Sequence, residues 1–439
     1  MKFTSFPKIK TKRTVYLDHA AATPMDPVVF EAMSPFLQDE YGNPGGLYKV
    51  AREAKQAVDN ARESVARIFG AQPRNIIFTG SGTESDNLAI FGIARQYADR
   101  GKHIITMSIE HHAILHSVEA LKKEGFDTTY LPVDEYGLVT PEQVIAALRD
   151  DTILVTIMYA NNEIGTIEPI ADIGRAIMRW KQEHDRKPTD PPFFHTDACQ
   201  AADYCELNVE KLHVDLMTIN GSKIYGPKGT GVLYKRDTVR VKPLIYGGGQ
   251  EMRFRGGTEN VAGIVGLATA LGRAQGMKEK ESNRLIKLRD YLWAEIRRKI
   301  PKVVLNGHPE ERLPNNLNVS ILDIEGEALL LYMDEYGVAL STGSACTSES
   351  LDPSHVIVGI GKPYEYAHGS IRFSLGRETK KSDIDYVMKI LPAVVERLRE
   401  ISPVNLQLDE QGRPKEDAKK PVFAAAFAGD GMPHWMGRK

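Results

Sequence analysis

The chain has 439 residues, 42% of them hydrophobic, and a formal net charge of −2. A chain of this length can bury a large core and is expected to form two domains with small appendages. Positive and negative side chains are interspersed, so no basic face for nucleic acid is predicted. The three cysteines, Cys199, Cys205 and Cys346, include no C-x-x-C pair. They predict neither a disulfide framework nor a zinc site, and they are typical of a reducing compartment.

The N-terminal residues and the hydropathy pattern bear on location. Residues 1–13 are basic but lack the apolar stretch of a secretory signal. The segment is also short and poor in arginine, which disfavours an organellar presequence. No apolar run approaches the length of a membrane span. We therefore expect a cytoplasmic protein that does not bind membranes.

From residue 74 to residue 236, short β-branched runs alternate with longer amphipathic stretches. Strands are predicted at 75–79, 103–108, 128–133, 152–160, 193–197, 215–220 and 231–234, and helices at 84–97, 113–123, 141–148 and 170–184. Strands separated by helices favour an α/β fold in which helices flank a mostly parallel central sheet.

The pattern changes after residue 260. Residues 260–300 predict one long or bent helix that could link two domains, and strands at 316–322, 338–341 and 370–375 follow with two helices. The last helix carries an apolar stripe and contains Pro392, which should kink it. Beyond it, the sequence predicts a solvated linker rich in charged residues and proline. A smaller α+β domain and a tail are therefore expected.

Polar residues follow the first predicted strand at its carboxyl end, where open α/β sheets bind ligands. The segment 79–85, Thr-Gly-Ser-Gly-Thr-Glu-Ser, runs directly into a helix. Its glycines let backbone N–H groups converge, the helix N-terminus adds positive potential, and Thr83 offers a hydroxyl. A glycine turn that only caps a helix has the same pattern. The segment is a candidate phosphate site, although it is not a Walker A loop because no Gly-Lys-Ser/Thr follows.

Polar residues stand at or just beyond the ends of three further predicted strands. These residues are His111 after 103–108, Asn162 after 152–160, and Asp197 and Gln200 at the end of 193–197. Each alone could be a turn or cap residue. Because parallel strands end at the same edge of a sheet, these residues are expected beside the candidate phosphate site.

The next strand leads to Lys223, which lies between two glycine-rich turns rather than on a solvated helical face. A phosphate site, a lysine and an acid are what pyridoxal 5′-phosphate requires. The lysine binds the cofactor covalently, and Asp197 would keep the pyridine nitrogen protonated. The sequence therefore predicts a pyridoxal 5′-phosphate site.

A second candidate for chemistry is Cys346, in the segment 341–350, Ser-Thr-Gly-Ser-Ala-Cys-Thr-Ser-Glu-Ser. A structural cysteine usually has apolar neighbours, whereas these are small and polar. Such a cysteine is expected to be accessible, as a sulfur nucleophile must be. Alone, the segment could carry an ordinary surface thiol; the upstream Lys223 site favours the nucleophile.

At these residues the chain resembles the class V aminotransferase group of pyridoxal-phosphate enzymes, and within it the cysteine desulfurases that supply sulfur for iron–sulfur clusters. The resemblance extends from residue 15 to residue 377. It rests on Ser-Gly-Thr-Glu-Ser-Asp-Asn-Leu-Ala at 81–89, Asn-Asn-Glu-Ile-Gly at 161–165, Lys-Ile-Tyr-Gly-Pro-Lys-Gly at 223–229 and Gly-Ser-Ala-Cys-Thr-Ser at 343–348. The last motif is similar to the longer cysteine loop of the housekeeping branch.

The resemblance implies a role for each matching residue. Lys223 and Asp197 would hold the cofactor as described above, and His111 would stack on its ring and share in proton transfer. Arg372 would bind the substrate carboxylate and Cys346 would accept the sulfur. Further contacts would come from Gly82, Thr83 and Ser222 at the phosphate, from Asn162 and Gln200 at the ring or substrate, and from Thr258 across a dimer interface.

The resemblance also implies an activity and a domain organisation. L-cysteine would become L-alanine, with a persulfide on Cys346 for iron–sulfur clusters and other sulfur-containing products. The implied partners are a second copy in a homodimer and a sulfur-acceptor or iron–sulfur scaffold protein, whose cluster Cys346 could transiently contact; no resident metal is implied. The implied fold is the type I pyridoxal-phosphate transferase fold. It has a large cofactor-binding domain at 15–265, a small domain at 266–400, on which residues 1–30 could pack, and a flexible tail at 401–439.

Departures from the family pattern in two segments, 220–222 and 45–48, leave alternatives open. Ser222 stands where the family commonly has histidine, Asn220 replaces a common serine, and the segment 45–48 lacks the usual small-polar and histidine pattern. An aminotransferase or a selenocysteine lyase would use the same cofactor site but would not depend on Cys346 in the same way. A catalytically impaired scaffold for partner proteins is the third alternative, against which the intact Lys223 and Cys346 argue.

Overall fold

The computed structural model describes residues 13–343, 353–403 and residue 406. The strands are β1 (Val15–Tyr16), β2 (Ile76–Thr79), β3 (His103–Met107), β4 (Asp127–Leu131), β5 (Thr152–Thr156), β6 (Phe193–Asp197), β7 (Leu216–Asn220), β8 (Gly231–Lys235), β9 (Val303–Asn306), β10 (Asn316–Ile321), β11 (Val338–Ala339) and β12 (Ser370–Ser374). The predicted tail, apart from residues 401–403 and 406, lies outside the described residues, as does Cys346.

The helices alternate with these strands and then dominate the C-terminal half. They are α1 (Pro27–Met33), α2 (Pro35–Gln38), α3 (Lys49–Phe69), α4 (Gly82–Gln96), α5 (His112–Lys122), α6 (Pro141–Ala147), α7 (Ile170–Glu183), α8 (Val209–Leu212), α9 (Val261–Lys299), α10 (Gly326–Asp334), α11 (His355–Gly359), α12 (Tyr364–His368) and α13 (Lys381–Ile401). Among the described residues, no helix is long and apolar enough to cross a membrane.

Seven strands form the central sheet, in the order β2-β8-β7-β6-β5-β3-β4. The neighbours from β7 to β4 pair in parallel, and β8 alone runs against the others, since it is antiparallel to both β7 and β2. Every residue of β3, β5, β6 and β8 is buried, because helices cover both faces of the sheet. The predicted mostly parallel α/β architecture is confirmed.

The predicted strand at 152–160 is shorter in the structure and ends at Thr156. The backbone N–H of Met158 donates to the Glu110 carboxylate instead of to a neighbouring strand (2.6 Å). Ala160 then pairs with Ile167. Ile157 and Tyr159 still donate to β6, at the backbone oxygens of His195 (3.1 Å) and Asp197 (2.8 Å). The segment therefore continues beside one neighbouring strand and carries the chain to the polar residues that follow.

A second core lies beside this sheet. The antiparallel sheet β12-β10-β9 and the pair β1-β11 pack with α10, α13 and the end of α9. Val15 and Leu17 near the N-terminus belong to this second core together with Phe373. The helix α9 runs without interruption through residues 265 and 266, where the boundary between the two domains is predicted. The helix α13 continues through Pro392.

The helix α3 has no counterpart among the sequence predictions. It buries a stripe that is mostly small residues, including Ala51, Ala54, Val58 and Ala61. Alanine favours helix but adds little hydrophobicity, so the average hydrophobicity of this stretch is low although its apolar residues recur with helical periodicity. The stripe packs on α9.

Candidate active site

A cavity of about 300 Å³ opens at the carboxyl ends of β5, β6 and β7, beside the N-termini of α4 and α5. Eight residues predicted from the sequence line it, namely Gly82, Thr83, His111, Asn162, Asp197, Gln200, Lys223 and Arg372. Seven of them meet because strands that run in parallel deliver the residues at their ends to one edge of the sheet, and Arg372 reaches the cavity from β12 of the antiparallel sheet.

Lys223 lies in a 3₁₀ turn, Gly221–Lys223, directly after β7. Its Nζ donates hydrogen bonds to the backbone carbonyl oxygens of Ala20 (3.1 Å) and Ala21 (2.6 Å). The side-chain amide of Gln200 donates to the same Ala20 oxygen (2.9 Å). The N-terminal segment therefore forms one wall of the cavity and orients the amine within it.

Asp197 is the last residue of β6 and is buried. Its Oδ1 accepts the backbone N–H of Cys199 (2.9 Å), which fixes the carboxylate at the floor of the cavity. Two further carboxyl groups, Asp86 and Glu110, lie nearby in the interior. Burial, and then the charge of Asp197, raise the pKa of both carboxyl groups well above their ordinary values. Both shifts favour the neutral forms of these carboxyl groups beside Asp197.

The helix α4 begins at the cavity with Ser81 as its N-cap, whose side chain accepts the Glu84 N–H (3.1 Å). A Cβ atom at Gly82 would lie 2.8 Å from the Cys199 sulfur. Only glycine therefore fits at this position without displacing a neighbour. The N-terminus of a fifteen-residue helix, with the hydroxyl of Thr83 at its first turn, can bind an anion such as phosphate.

His111 is the N-cap of α5, and its Nδ1 accepts the backbone N–H of Ala113 (3.1 Å). The proton of the neutral ring therefore resides on Nε2. Burial, the largest influence, lowers the pKa of His111. Both observations favour a neutral imidazole with a fixed tautomer at the cavity.

Arg372 extends from β12 into the same cavity and is only 2% exposed. One terminal nitrogen donates to Asp18 Oδ1 (2.7 Å) and the other to the backbone oxygen of Asn162 (2.8 Å). Its Nε has no hydrogen-bond partner within the part of the chain that the structure describes. A planar guanidinium held in this way can bind a carboxylate through two hydrogen bonds.

Two predicted site residues, Ser222 and Thr258, do not line this cavity. Ser222 turns its hydroxyl to Asn220 Oδ1 (3.0 Å), and it is Asn220 that lines the wall. Thr258 is exposed and borders a separate cavity next to Thr79. Cys346 belongs to the residues that the structure does not describe, but Gly343, three positions before it, lines the cavity.

Comparison with known proteins places this site in a family. The family model for aminotransferase class-V matches residues 15–387. Cysteine desulfurase IscS of Dictyoglomus turgidum is 50% identical over 392 residues, covering 89% of this chain and 97% of the relative. The human cysteine desulfurase is 45% identical over 395 residues, covering 89% of this chain and 84% of the relative. The chain belongs to the cysteine desulfurases of the class-V aminotransferase family. The family predicted from the motifs is confirmed.

Solved structures support the same conclusion. A NifS-like protein superimposes with a TM-score of 0.81 at 35% identity, covering 87% of this chain and 99% of the other. SspA in complex with cysteine superimposes with a TM-score of 0.71 at 36% identity, covering 82% and 99%. The predicted fold class is confirmed for this cysteine desulfurase.

Further residues that line the cavity of the cysteine desulfurase are not among the site residues predicted from the sequence. They include Asp86, Glu163, Cys199 and Gly343. Cys199 borders the site through its side chain, next to Gly82. Asp86 and Glu163 lie within recognised motifs, yet nothing in the motifs indicates that their side chains face the cavity. Their position at the cavity depends on contacts between segments that are far apart in the sequence.

Proposed function

We propose that this cysteine desulfurase converts L-cysteine to L-alanine and retains the sulfur as a persulfide on Cys346. The observation that best supports the proposal is that the Lys223 amine, the Asp197 carboxylate and the Arg372 guanidinium line one cavity. An amine, a buried acid and a carboxylate-binding guanidinium are the groups that amino-acid chemistry on a carbonyl cofactor requires.

The residues present fit pyridoxal 5′-phosphate as that cofactor. Lys223 would hold it covalently, Asp197 would pair with its pyridine nitrogen, and the start of α4 with Gly82 and Thr83 would bind its phosphate. The absence of a Cβ at Gly82 keeps the wall beside Cys199 open. The side chains of Asn162, Gln200 and His111 would contact the pyridine ring of the cofactor. When bound, this cofactor supplies an electron sink for bonds broken at the substrate α-carbon.

The chain's own residues would then carry out the other steps. Arg372 would bind and orient the substrate carboxylate, while Lys223 and His111 would move protons at the α-carbon and β-carbon. The Cys346 thiolate would attack the substrate sulfur, so that an S–S bond forms as the Cβ–S bond breaks. The freed electron pair and a proton end on the β-carbon, giving alanine and a persulfide. No external oxidant or reductant is needed.

The departures at Asn220 and Ser222 would alter the phosphate contacts without removing them. The Asn220 amide lines the cavity, and its Oδ1 accepts both the backbone N–H and the hydroxyl of Ser222 (3.0 Å each). Ser222 would therefore act on the phosphate by orienting Asn220, whose side-chain N–H groups are donors. This replaces the direct role of Ser222 that the sequence suggests.

A homodimer would complete the site. Thr258 is exposed and lies away from the Lys223 cavity of its own chain, so a role at the phosphate requires a second copy. Leu47, Tyr41 and Tyr246 are 91%, 77% and 78% exposed, which is unusual for large apolar side chains on a monomer and supports burial against a second copy. Light scattering of the purified protein would test the dimer, and a monomer at micromolar concentration would refute it.

The further partners would be a sulfur acceptor or an iron–sulfur scaffold protein, in the cytoplasm. A thiolate can attack the outer sulfur of a persulfide and release the Cys346 thiolate, so the sulfur would pass to an acceptor thiol or to a cluster under assembly. Transfer of radiolabelled sulfur from the enzyme to a candidate acceptor would test this step.

The deciding experiment measures alanine and sulfide released from L-cysteine with excess dithiothreitol, for the wild type beside Cys346→Ala. We expect equal amounts of both products from the wild type and none from the variant. Keto-acid products without alanine would indicate an aminotransferase, and sulfide that persists in the variant would remove Cys346 from the mechanism. Bound cofactor without any turnover would favour the scaffold alternative.

A further inference from the structure

Glu163 is a buried residue of the cavity wall, and it takes part in none of the proposed reaction steps. It follows Asn162 in the segment after β5. Its carboxylate accepts a hydrogen bond from Ser354 and lies beside Gly343, where an added Cβ atom would meet it. These two positions flank the stretch that contains Cys346.

The backbone of Glu163 is held from two sides. Its N–H donates to the side-chain oxygen of Asn161 (2.9 Å), which belongs to the same turn beyond the central sheet. Its carbonyl oxygen accepts the side-chain N–H of Asn318 (3.2 Å), in β10 of the second core. Both sheets therefore fix the point from which the side chain extends.

One oxygen of the carboxylate, Oε2, makes both contacts. The Ser354 hydroxyl donates to it at 2.5 Å, a distance typical of a hydrogen bond to an ionised acceptor. Ser354 is also the N-cap of α11, since its Oγ accepts the Ile357 N–H (3.2 Å). The downstream contact is thus anchored to a helix.

The upstream contact depends on a glycine. Gly343 has φ = +95°, and a Cβ atom there would lie 2.8 Å from Oε2. Its N–H donates to Ser341 Oγ (3.1 Å), and Ser341 pairs with Arg372 through the backbone. Gly343 is therefore packed against the carboxylate and tied to the strand that carries the guanidinium.

We propose that Glu163 is a positioning residue for sulfur transfer, because it binds Ser354 and packs beside Gly343, the two residues that flank the segment of Cys346 in the sequence. The proposal rests on the proposed function, in which Cys346 attacks the substrate sulfur. Small displacements of a reacting group slow an attack strongly, on the order of a hundredfold for about 1 Å. Glu163 should therefore affect the step at Cys346 and leave the earlier binding of L-cysteine unaffected.

The test uses rapid mixing of the holoenzyme with L-cysteine and two readouts. The first is the initial absorbance change of the bound cofactor, which does not require Cys346. The second is the first-turnover formation of alanine, together with persulfide on Cys346 by mass spectrometry. We expect Glu163→Ala and Ser354→Ala to keep the first rate and to lower the second at least tenfold. Ser354→Thr, which retains the hydroxyl, should recover most of the second rate.

Controls separate a positioning role from a structural one and from a failure of the mechanism. Glu310→Gln, an exposed glutamate elsewhere, should match the wild type in both readouts. If both rates fall together in Glu163→Ala, or if neither changes, Glu163 does not position the nucleophile. If the wild type forms alanine without sulfur on Cys346, the assignment of Cys346 fails, and the role of Glu163 fails with it.

Discussion

Replacing Arg372 by lysine tests how the cavity recognises its substrate. The guanidinium makes two hydrogen bonds at once, to Asp18 and to the Asn162 carbonyl, and would still present donors to a carboxylate. A lysine ammonium is a single point charge that cannot satisfy all three acceptors in a fixed fork. One hydrogen bond between charged groups contributes about 1.5–3 kcal/mol. Because about 1.4 kcal/mol is a factor of ten, kcat/KM for L-cysteine should fall about ten- to hundredfold.

The loss should appear mainly in KM, because the carboxylate is bound equally before and during the reaction. Initial rates of alanine formation over a range of L-cysteine concentrations would measure both constants. Cysteamine, which lacks the carboxylate, should bind wild type and Arg372→Lys with similar affinity, followed by cofactor absorbance. Asp18→Asn serves as the control, because it alters a neighbour of Arg372 and retains the guanidinium. A variant with unchanged KM and a reduced kcat would refute the assignment of Arg372 to the carboxylate.

Three further predictions follow from single contacts. Burial raises the pKa of Glu168 from 4.5 to about 8, so the folded protein retains a proton that the unfolded chain releases, and stability falls between those pH values by about 1.4 kcal/mol per pH unit. Glu168→Gln should therefore gain about 3 kcal/mol over the wild type between pH 5 and pH 7 in urea unfolding; a gain independent of pH would contradict this. Gly82→Ala should purify with little cofactor, because its Cβ would meet the Cys199 sulfur, and the double variant with Cys199→Ala should regain it; equal cofactor content in all three proteins would contradict the steric argument. Lys223→Ala should lose turnover and the visible absorbance of the covalently bound cofactor, and alanine formation at the wild-type rate would exclude Lys223.

Much of the site could be predicted because its residues follow strands. Asp197 and Lys223 each come directly after a buried run, and the parallel arrangement of the strands places such residues at one edge. The strand boundaries were predicted to within a few residues except at 152–160, where a side-chain carboxylate, Glu110, replaces a strand neighbour as acceptor. That contact joins residues far apart in sequence and leaves no local signal.

The same reason explains what the sequence did not reveal about Glu163 and Asp86. Ser354 lies 191 positions after Glu163, so no periodicity or motif predicts their contact. The raised pKa of Asp86 depends on its burial and on the neighbouring charge of Asp197, which only the folded chain provides. The sequence predicts which chemical groups reach the edge of the sheet, and the packing determines their charge and their partners.

Arg372 joins substrate recognition to the placement of the nucleophile. Its side chain contacts the N-terminal segment at Asp18 and the turn at Asn162. Its backbone N–H donates to Ser341 (2.7 Å), whose hydroxyl in turn accepts the Gly343 N–H. A substrate carboxylate bound to the guanidinium is therefore connected through Ser341 to Gly343. Gly343 in turn packs beside the Glu163 carboxylate. Arg372→Lys retains the backbone hydrogen bonds to Ser341 and should act mainly on substrate binding, whereas Glu163→Ala removes the contact with Ser354 and should act mainly on the step at Cys346. The Arg372 and Glu163 variants therefore separate the two halves of the reaction.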